Sequence, residues 1–339
     1  MVTLVFNRFL SNLGLGIATT VFVCSTLAEP SEIDIQKSEE QIENKKTDGT
    51  QHLNVASPEY WLEKMALAFS EETYAGTFTY IRGKEFNTMR IVHDASGDTV
   101  RESILKLNGQ KIDIRRWQDE IICYHDINDP GDLRHHVLLG PFSQSFTALI
   151  SEASHFYHTA LHGEDRIADR RAIRLSIQPV NADRFGYLLW LDYQTGLLLQ
   201  SHLVERGRVK EVFAFSDIDF MPDTQLLMTA IDPDQTVSHR LADDFIDQNT
   251  KPSFKVKWLP DGFKVVRQSG NRLHFSDGIV TFSVFLEAQR GLPNLATEVE
   301  GRTIVTRALG QSKGQVTIIG GLPVTTAQRL AESVEPILY

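Results

Sequence analysis

The sequence predicts an α+β fold dominated by an antiparallel β-sheet. The clearest signal lies in residues 183–220, where three apolar runs are separated by short turns that contain Gly196 and Gly207. A glycine after a polar residue between two apolar runs is a strong hairpin signal. Earlier strand-like runs follow one another at the same short spacing, at 74–82, 86–93, 100–107, 111–117 and 120–125. No helix separates these runs, so parallel βαβ units are not supported.

Two helices are predicted to accompany this sheet. Ser57 suits an N-cap and Pro58 the first turn of a helix that ends near Glu72. A second helical region begins at Pro141-Phe142, and its buried face is predicted from helical spacing to contain Phe146, Leu149, Ile150, Ala153 and Tyr157. Sheet and helices together form a large first domain, residues 57–220.

A smaller β-rich domain is predicted at 252–339, after a connection at 221–251 that carries the acidic run around Asp243-Asp244. Its expected strands are 254–258, 263–268, 272–276, 279–287, 303–309 and 315–320. A final helix at 325–334 is expected to be capped by Thr325 or Thr326.

The N-terminus has the features of an export signal. Arg8 precedes an apolar run, and the small residue Ala28 suits a cleavage site, so residues 1–28 are predicted to be removed. A retained membrane anchor is the alternative. Residues 29–56 are polar and acidic and are predicted to form a disordered tether.

Charge and cysteine content restrict the function classes. The formal net charge of −10 argues against nucleic acid as the main partner. The exported chain keeps one cysteine, Cys123, so an intramolecular disulfide is excluded. Because Cys123 lies in an apolar strand-like run, we expect a buried, inert thiol.

Two motifs could carry chemistry. Ser312 lies in a G-x-S-x-G sequence, but residues 315–319 read as a strand, whereas a nucleophile elbow needs a helix there. His155, His158 and His162 would share one face of a helix and could bind a metal, although a solvated polar face is the default explanation. We therefore predict no catalytic residue and no metal site, and a hydrolase using Ser312 is the weakest alternative.

Aromatic and methionine side chains are concentrated on the first sheet, at Phe78, Tyr80, Phe86, Met89 and Trp190. The inner face of a curved sheet can be filled by such side chains or by an apolar ligand. Core packing is the simpler explanation, and a ligand pocket is the other.

Several motifs resemble the RseB/MucB family of periplasmic negative regulators of the sigma-E envelope-stress response. They are Tyr74-Ala-Gly-Thr-Phe-Thr-Tyr80, Glu164-Asp-Arg-Ile-Ala-Asp-Arg170, Arg184-Phe-Gly-Tyr-Leu-Leu-Trp-Leu-Asp192, Leu259-Pro-Asp-Gly-Phe263 and Ser276-Asp-Gly278. The resemblance extends from about Pro58 to Val334. Asp169 departs from it, since the family usually has glycine there, and the segment 126–162 matches poorly.

The resemblance implies a large lipoprotein-carrier-like domain, a half-open antiparallel β-barrel with covering helices, packed against a small C-terminal β domain. It implies a non-catalytic, cofactor-free periplasmic protein. Such a protein binds the periplasmic segment of a single-pass membrane anti-sigma factor, shields it from site-1 proteolysis and is released by mislocalised lipid or lipopolysaccharide. The resemblance does not decide whether the protein forms a homo-oligomer. The alternative is a lipid or lipoprotein carrier with no regulatory partner, which would need only the first domain.

Two groups of site residues follow from these expectations. The ligand-pocket candidates are apolar and belong to the first domain: Phe78, Tyr80, Met89, Ile91, Phe142, Phe146 and Trp190. The partner-binding candidates come from the family-like motifs of both domains: Arg184, Tyr187, Trp258, Phe263, Ser276 and Asp277.

Overall fold

The fold is that of a computed structural model. It describes residues 57–117, 120–126, 155–228, 231, 236–240, 251–289, 291–299, 302–309 and 314–337. The signal sequence and tether predicted for residues 1–56 lie outside these ranges. None of the described helices is both long and apolar enough to cross a membrane.

Within the described residues, the first domain contains one antiparallel sheet of eleven strands. In chain order they are β1 (Tyr74–Arg82), β2 (Glu85–Asp94), β3 (Arg101–Lys106), β4 (Ile112–Trp117), β5 (Glu120–Asp126), β6 (Tyr157–Ile167), β7 (Arg170–Pro179), β8 (Gly186–Asp192), β9 (Leu198–Glu205), β10 (Arg208–Asp219) and β11 (Thr236–Arg240). Their order across the sheet is β11-β5-β4-β3-β2-β1-β10-β9-β8-β7-β6. Almost every strand therefore pairs with its neighbour in sequence, as the run of hairpin signals predicts.

This sheet is curled but not closed. In a flat sheet, β6 and β10 would lie about 19 Å apart, because they are separated by four strand spacings. Cα atoms of these two strands nevertheless approach within 8 Å. Strands β6 and β11 are its two edges within the described residues. The predicted half-open antiparallel barrel is confirmed.

Helix α1 (Pro58–Glu71) covers the inner face of the sheet. Its start is fixed as predicted, because the Ser57 hydroxyl accepts a hydrogen bond from the Tyr60 amide at 3.2 Å and Pro58 follows. Trp61, Leu62 and Met65 enter the same hydrophobic cluster as the sheet residues. We call the sheet face toward this cluster the core face and the opposite one the outer face.

Two tight turns show why the hairpins form where they do. Gly83 begins the β1–β2 turn with a positive φ of 60°, which suits the first central position of a type II′ turn. Arg206 and Gly207 both have positive φ, 47° and 79°, as a type I′ turn requires. Such turns match the right-handed twist of the strands and so fix their register.

The second domain is a six-stranded antiparallel sheet with one helix against it. Its strands are β13 (Lys264–Ser269), β14 (Arg272–Ser276), β15 (Thr281–Glu287), β16 (Leu295–Val299), β17 (Arg302–Ala308) and β18 (Gln315–Gly320), in the order β13-β14-β15-β18-β17-β16. A two-stranded ribbon pairs β12 (Phe254–Val256) with β19 (Val334–Pro336). The helix is α3 (Val324–Ser333), and a single turn, α2 (Thr224–Leu227), precedes β11.

The structure departs from the sequence prediction in several places. Tyr157 begins strand β6 rather than ending a helix, and the rest of that predicted helix lies outside the described residues. The connection predicted at 221–251 contributes β11, which pairs with β5. The N-cap of α3 is Pro323 and no side chain caps it, so the capping role predicted for Thr325 or Thr326 is wrong.

The environments of Cys123 and Ser312 agree with the predictions. Cys123 is buried, and burial raises the pKa of its thiol to about 11, which keeps it protonated and unreactive. Strand β18 follows the G-x-S-x-G sequence and pairs with β17, so the helix that a nucleophile elbow needs is not there. Ser312 itself lies outside the described residues.

Gly76 is required by a close approach inside the first sheet. A Cβ added there would lie 2.5 Å from the Asp217 carbonyl oxygen and 2.8 Å from the Phe215 ring. We expect Gly76→Ala to lower the free energy of unfolding by about 1–3 kcal/mol, because overpacking forces the strands apart. Chemical denaturation followed by tryptophan fluorescence measures this.

Gly97→Ala is the matched control, since nothing lies within 4 Å of a Cβ at that position. An equal loss of stability in both variants would contradict the assigned packing of β1 against β10.

Candidate functional site

The two domains meet at a buried ion pair between Arg184 and Asp277. Arg184 lies in the loop between β7 and β8, and Asp277 in the turn between β14 and β15. Their Nη1 and Oδ2 atoms are 2.8 Å apart, and the side chains are only 2% and 0% exposed. The Tyr157 hydroxyl donates a second hydrogen bond to the same oxygen of Asp277 at 2.8 Å. We call Arg184, Asp277 and Tyr157 the domain clasp.

The second oxygen of Asp277 orders its own turn. Oδ1 accepts hydrogen bonds from the backbone amides of Ile279 at 3.0 Å and Val280 at 2.8 Å. Ser276 adds a third local bond, because its hydroxyl accepts the Gly278 amide at 3.0 Å. The Asp277 carboxylate is thus held through Oδ1 by its own loop, and its other oxygen, Oδ2, faces Arg184 and Tyr157 of the first domain.

Arg184 is bound on every side. Nη2 donates to the carbonyl oxygen of Asp261, and Nε donates to the Asp183 carboxylate at 3.0 Å. The guanidinium also lies 4.9 Å from the ring centre of Phe263 and 5.4 Å from that of Phe156. Planar hydrogen bonding combined with ring contacts is a role that lysine cannot fill.

Arg184 and Tyr157 of the clasp have pKa values that are raised from their ordinary values. Burial lowers the pKa of Arg184, but Tyr157, Asp277 and Asp183 outweigh this effect and the pKa is raised overall. Burial, with Asp277 as a further cause, raises the pKa of Tyr157 well above its ordinary value. The arginine therefore stays charged and the tyrosine stays a hydrogen-bond donor across the physiological pH range.

Gly262 allows the two domains to approach at this point. It has a positive φ of 89°, and a Cβ there would lie 2.4 Å from the Phe156 ring. The motif Leu259-Pro-Asp-Gly-Phe263 therefore needs glycine for packing as well as for the turn. A second contact lies elsewhere along the junction, where Lys210 Nζ on β10 is 2.6 Å from Glu298 Oε2 on β16.

A cleft of about 460 Å³ opens beside the clasp. Both domains line it, through Asn181, Ala182, Asp183, Arg206, Trp258, Leu259, Pro260, Asp261, Thr325, Thr326 and Arg329. The Arg329 guanidinium lies 3.9 Å from the ring centre of Trp258. Clefts at domain junctions are common binding sites, and this one offers an aromatic surface flanked by two arginines.

The predicted partner-binding residues converge on this junction. Arg184 and Asp277 form the clasp, Phe263 packs on it, Ser276 orders its turn and Trp258 lines the cleft. Tyr187 is partly buried on β8 and packs against the hydrophobic core. Phe156 and Tyr157 were missed, because helical spacing predicts that Tyr157 lies in a helix.

Four of the predicted pocket residues share the core face. Phe78 pairs with Met89 across β1 and β2, and Tyr80 and Ile91 lie on the same face. All four are between 0% and 3% exposed, so in this structure they are packed core. Phe142 and Phe146 lie outside the described residues.

Trp190 does not belong with these four. It pairs with Gln200, which pairs with Ala214, which pairs with Thr79, and Thr79 points away from the core face. On the outer face its indole Nε1 donates to Asp165 at 3.0 Å and its ring lies 4.7 Å from His202. In this register Trp190 lies on the opposite side of the sheet from the other four pocket candidates, although it is only 5% exposed and belongs to the same hydrophobic cluster.

The histidine face predicted on a helix is also not formed. His158 and His162 lie on strand β6, and His162 Nε2 is 2.7 Å from the Ser176 hydroxyl. Within the described part of the chain, no group of three or more histidine, cysteine, aspartate and glutamate side chains is placed to hold a metal ion.

Arg184→Gln is expected to destabilise the protein by about 3–5 kcal/mol, because it leaves the Asp277 carboxylate buried without its charge partner. Chemical denaturation measures the change. Arg171→Gln is the matched control, since it breaks an exposed ion pair with Glu164 and should leave stability nearly unchanged. Similar effects of the two substitutions would overturn the assignment of the clasp.

Comparison with known proteins identifies relatives over both domains. The MucB/RseB N-terminal domain profile matches residues 57–238, and the MucB/RseB C-terminal domain profile matches residues 248–335. Sigma factor AlgU regulatory protein MucB of Pseudomonas aeruginosa is 30% identical over 294 residues, covering 81% of this chain and 90% of that protein. Sigma-E factor regulatory protein RseB of Escherichia coli (strain K12) is 25% identical over 292 residues, covering 81% of this chain and 89% of that protein.

Solved structures agree with this assignment. A crystal structure of MucB in complex with MucA(peri) superposes with a TM-score of 0.64 at 26% identity, covering 84% of this chain and all of that one. A MucA/MucB complex from Pseudomonas aeruginosa gives a TM-score of 0.66 at the same identity, covering 83% of this chain and 99% of that one. With both domain profiles matched and the same two-domain fold present, the chain belongs to the MucB/RseB family.

Proposed function

We propose that this protein is a periplasmic regulator that binds the periplasmic segment of a single-pass membrane anti-sigma factor. The observation that carries the proposal is the match of both family domains, joined by a buried clasp at which the family-like motifs meet. MucB, a relative of this chain, has been solved in complex with MucA(peri). The export signal predicted at residues 1–28, with cleavage after about Ala28, suits this location.

The cleft beside the clasp is the proposed contact site for the anti-sigma segment. Residues of both domains line it, so a bound segment would touch both and would favour the clasped arrangement. Trp258 supplies a large apolar contact, and Arg206 and Arg329 supply exposed charges. A peptide with an apolar anchor and acidic neighbours fits this combination. Bound there, the segment would be covered and so protected from site-1 proteolysis.

Release by mislocalised lipid or lipopolysaccharide is proposed to act through the core face. Phe78, Tyr80, Met89 and Ile91 are packed in this structure, so an acyl ligand can enter only by displacing side chains. A ligand and a partner that favour different conformations weaken each other reciprocally, typically by about 1–3 kcal/mol. The proposal therefore predicts competition without a shared site.

Arg329→Glu is expected to weaken binding of the purified anti-sigma segment at least about tenfold, because it reverses a charge on the wall of the cleft. Calorimetric titration measures the affinity, and cleavage of the segment by the site-1 protease reports its protection. Arg166→Glu is the matched control, an equal charge reversal at an exposed position on the far hairpin β6–β7. Equal weakening by both variants would reject the cleft as the contact site.

The carrier without a regulatory partner is the second candidate. Pull-down of the mature protein from envelope extracts separates the two functions. Recovery of a single-pass anti-sigma factor supports the regulator, whereas recovery of lipid alone would favour the carrier. The second domain favours the regulator, because a simple carrier has no need of the clasp residues that this domain supplies.

A further inference from the structure

Three neighbouring hairpins of the first sheet end on the same side of the molecule. In sheet order they are β4–β3, β2–β1 and β10–β9, so their tips lie side by side along one end of six adjacent strands. At about 4.8 Å per strand this end is roughly 25 Å wide. We call it the hairpin rim and define it as residues 81–86, 106–111 and 204–209.

Each of the three tips exposes a large apolar side chain. Phe86 is 57% exposed, Val209 52%, Leu107 42% and Ile81 36%. Phe86 and Ile81 are directly paired across β1 and β2, and Ile81 is paired with Val212 of β10. The Leu107 amide donates to the carbonyl oxygen of Thr88 at 2.8 Å, which places it beside the same row. Ile81, Phe86 and Leu107 form one exposed apolar strip on the outer face, and Val209, which pairs with Val204, adds an exposed apolar side chain at the neighbouring tip.

Each tip also carries basic residues. Lys84, Lys111, Arg206 and Arg208 are exposed and Lys106 is half-buried. None of the five forms an ion pair with any residue in the part of the chain that the structure describes. The acidic residues of the rim are Glu85 and Glu205, and Glu205 lies 3.5 Å from Lys210. The rim is therefore locally positive on a chain whose formal net charge is −10.

An apolar strip bordered by basic side chains that have no ion-pair partner among the described residues is the arrangement of an interfacial membrane-binding surface. Apolar side chains enter the boundary between headgroups and acyl chains, while lysine and arginine stay at the level of the anionic headgroups. The hairpin turns suit this geometry, because their strands satisfy each other's backbone groups and the tip projects only side chains. A folded protein partner would need an acidic apolar surface of matching shape, whereas a bilayer presents both properties continuously.

We propose that the hairpin rim docks on a bilayer surface rich in anionic phospholipid, through Phe86, Leu107 and Val209 with Lys84, Lys111 and Arg208. The contact is peripheral, with the outer face of the sheet toward the headgroups. It leaves the core face and the clasp untouched and shares Arg206 with the cleft. The inference does not rest on the proposed regulatory function, because purified protein and pure lipid suffice to test it.

Co-sedimentation with vesicles tests the proposal. The mature protein is expected to bind vesicles of phosphatidylglycerol and phosphatidylcholine in equal parts and to leave pure phosphatidylcholine vesicles in the supernatant. Raising the salt to about 0.5 M should release most of it, because screening removes the attraction. Inorganic phosphate at the same ionic strength should compete no better than chloride, which distinguishes a bilayer from a free anion.

Matched variants locate the surface. Lys84→Gln with Arg208→Gln is expected to lower the partition coefficient about 25-fold, or about fivefold for each basic residue. Arg166→Gln with Arg171→Gln removes the same charge from the opposite end of the sheet and should change it little. Phe86→Ser should lower binding about tenfold, whereas Met221→Ser, at a 92% exposed residue outside the rim, should not.

All four variants replace exposed side chains, and circular dichroism melting checks that each is folded. Three results would each overturn the proposal. They are no binding to the anionic vesicles, equal binding to neutral ones, or equal losses in rim and control variants. A rim-dependent dimer in solution without vesicle binding would likewise replace the bilayer with a second copy of the chain.

Discussion

The buried ion pair between Arg184 and Asp277 is the constraint on which the two-domain arrangement depends. Removing both charges from water is costly, and only complete pairing compensates for that cost. The structure supplies it, since Asp277 receives hydrogen bonds on both oxygens and Arg184 donates from all three of its nitrogens. Another docking angle that kept these groups buried without these contacts would leave at least one charge unpaired. The clasp therefore selects one arrangement of the domains more than it adds to stability.

The same contact ties the edge of the first sheet to the second domain. Tyr157, which donates to Asp277, is the first residue of the edge strand β6, and β6 curls toward β10. Opening the curled sheet at this edge would pull the tyrosine hydroxyl away from the carboxylate. A buried carboxylate that loses a donor is destabilised, so opening of the edge is coupled to the junction. The hydrogen bond from Tyr157 to Asp277 can therefore couple opening of the sheet by a lipid to the domain junction at which the partner is proposed to bind.

Local signals in the sequence were sufficient for most of the scaffold. Ser57-Pro58 fixes the start of α1, and the glycine-containing turns fix the hairpins, because both depend on residues adjacent in sequence. The errors arise where the deciding contact is distant. Tyr157 fits helical spacing, but its hydroxyl donates a hydrogen bond to Asp277, which lies 120 residues away in the sequence. Strand β11 owes its place to pairing with β5, which no local pattern records.

The position of Trp190 shows the limit of composition as a guide to a pocket. Aromatic content predicts that a sheet has an apolar face, but only the pairing register decides on which face a residue lies. A shift of one residue in register moves every side chain of a strand to the opposite face. The chain of pairs from Trp190 to Thr79 places it outside, while Leu189 pairs through Ser201 and Phe213 to Tyr80 inside.

The filled core face sets the condition that any apolar ligand must meet. Met65 of α1 and Phe213 of β10 are fully buried, and Phe78 packs with its ring centre 5.0 Å from that of Phe213. An acyl chain would have to replace these contacts with its own, so the energy that it gains from leaving water is reduced by the packing that it disrupts. Helix α1 covers this face with its buried residues Trp61, Leu62, Met65 and Ala68, so an acyl chain that enters must displace this helix or the side chains beneath it. Because Lys64 of α1 donates to the Tyr193 carbonyl at 2.9 Å, lifting it would also break a tie to the β8–β9 turn. A ligand that binds only with α1 displaced must therefore bind tightly enough to offset the loss of all these contacts.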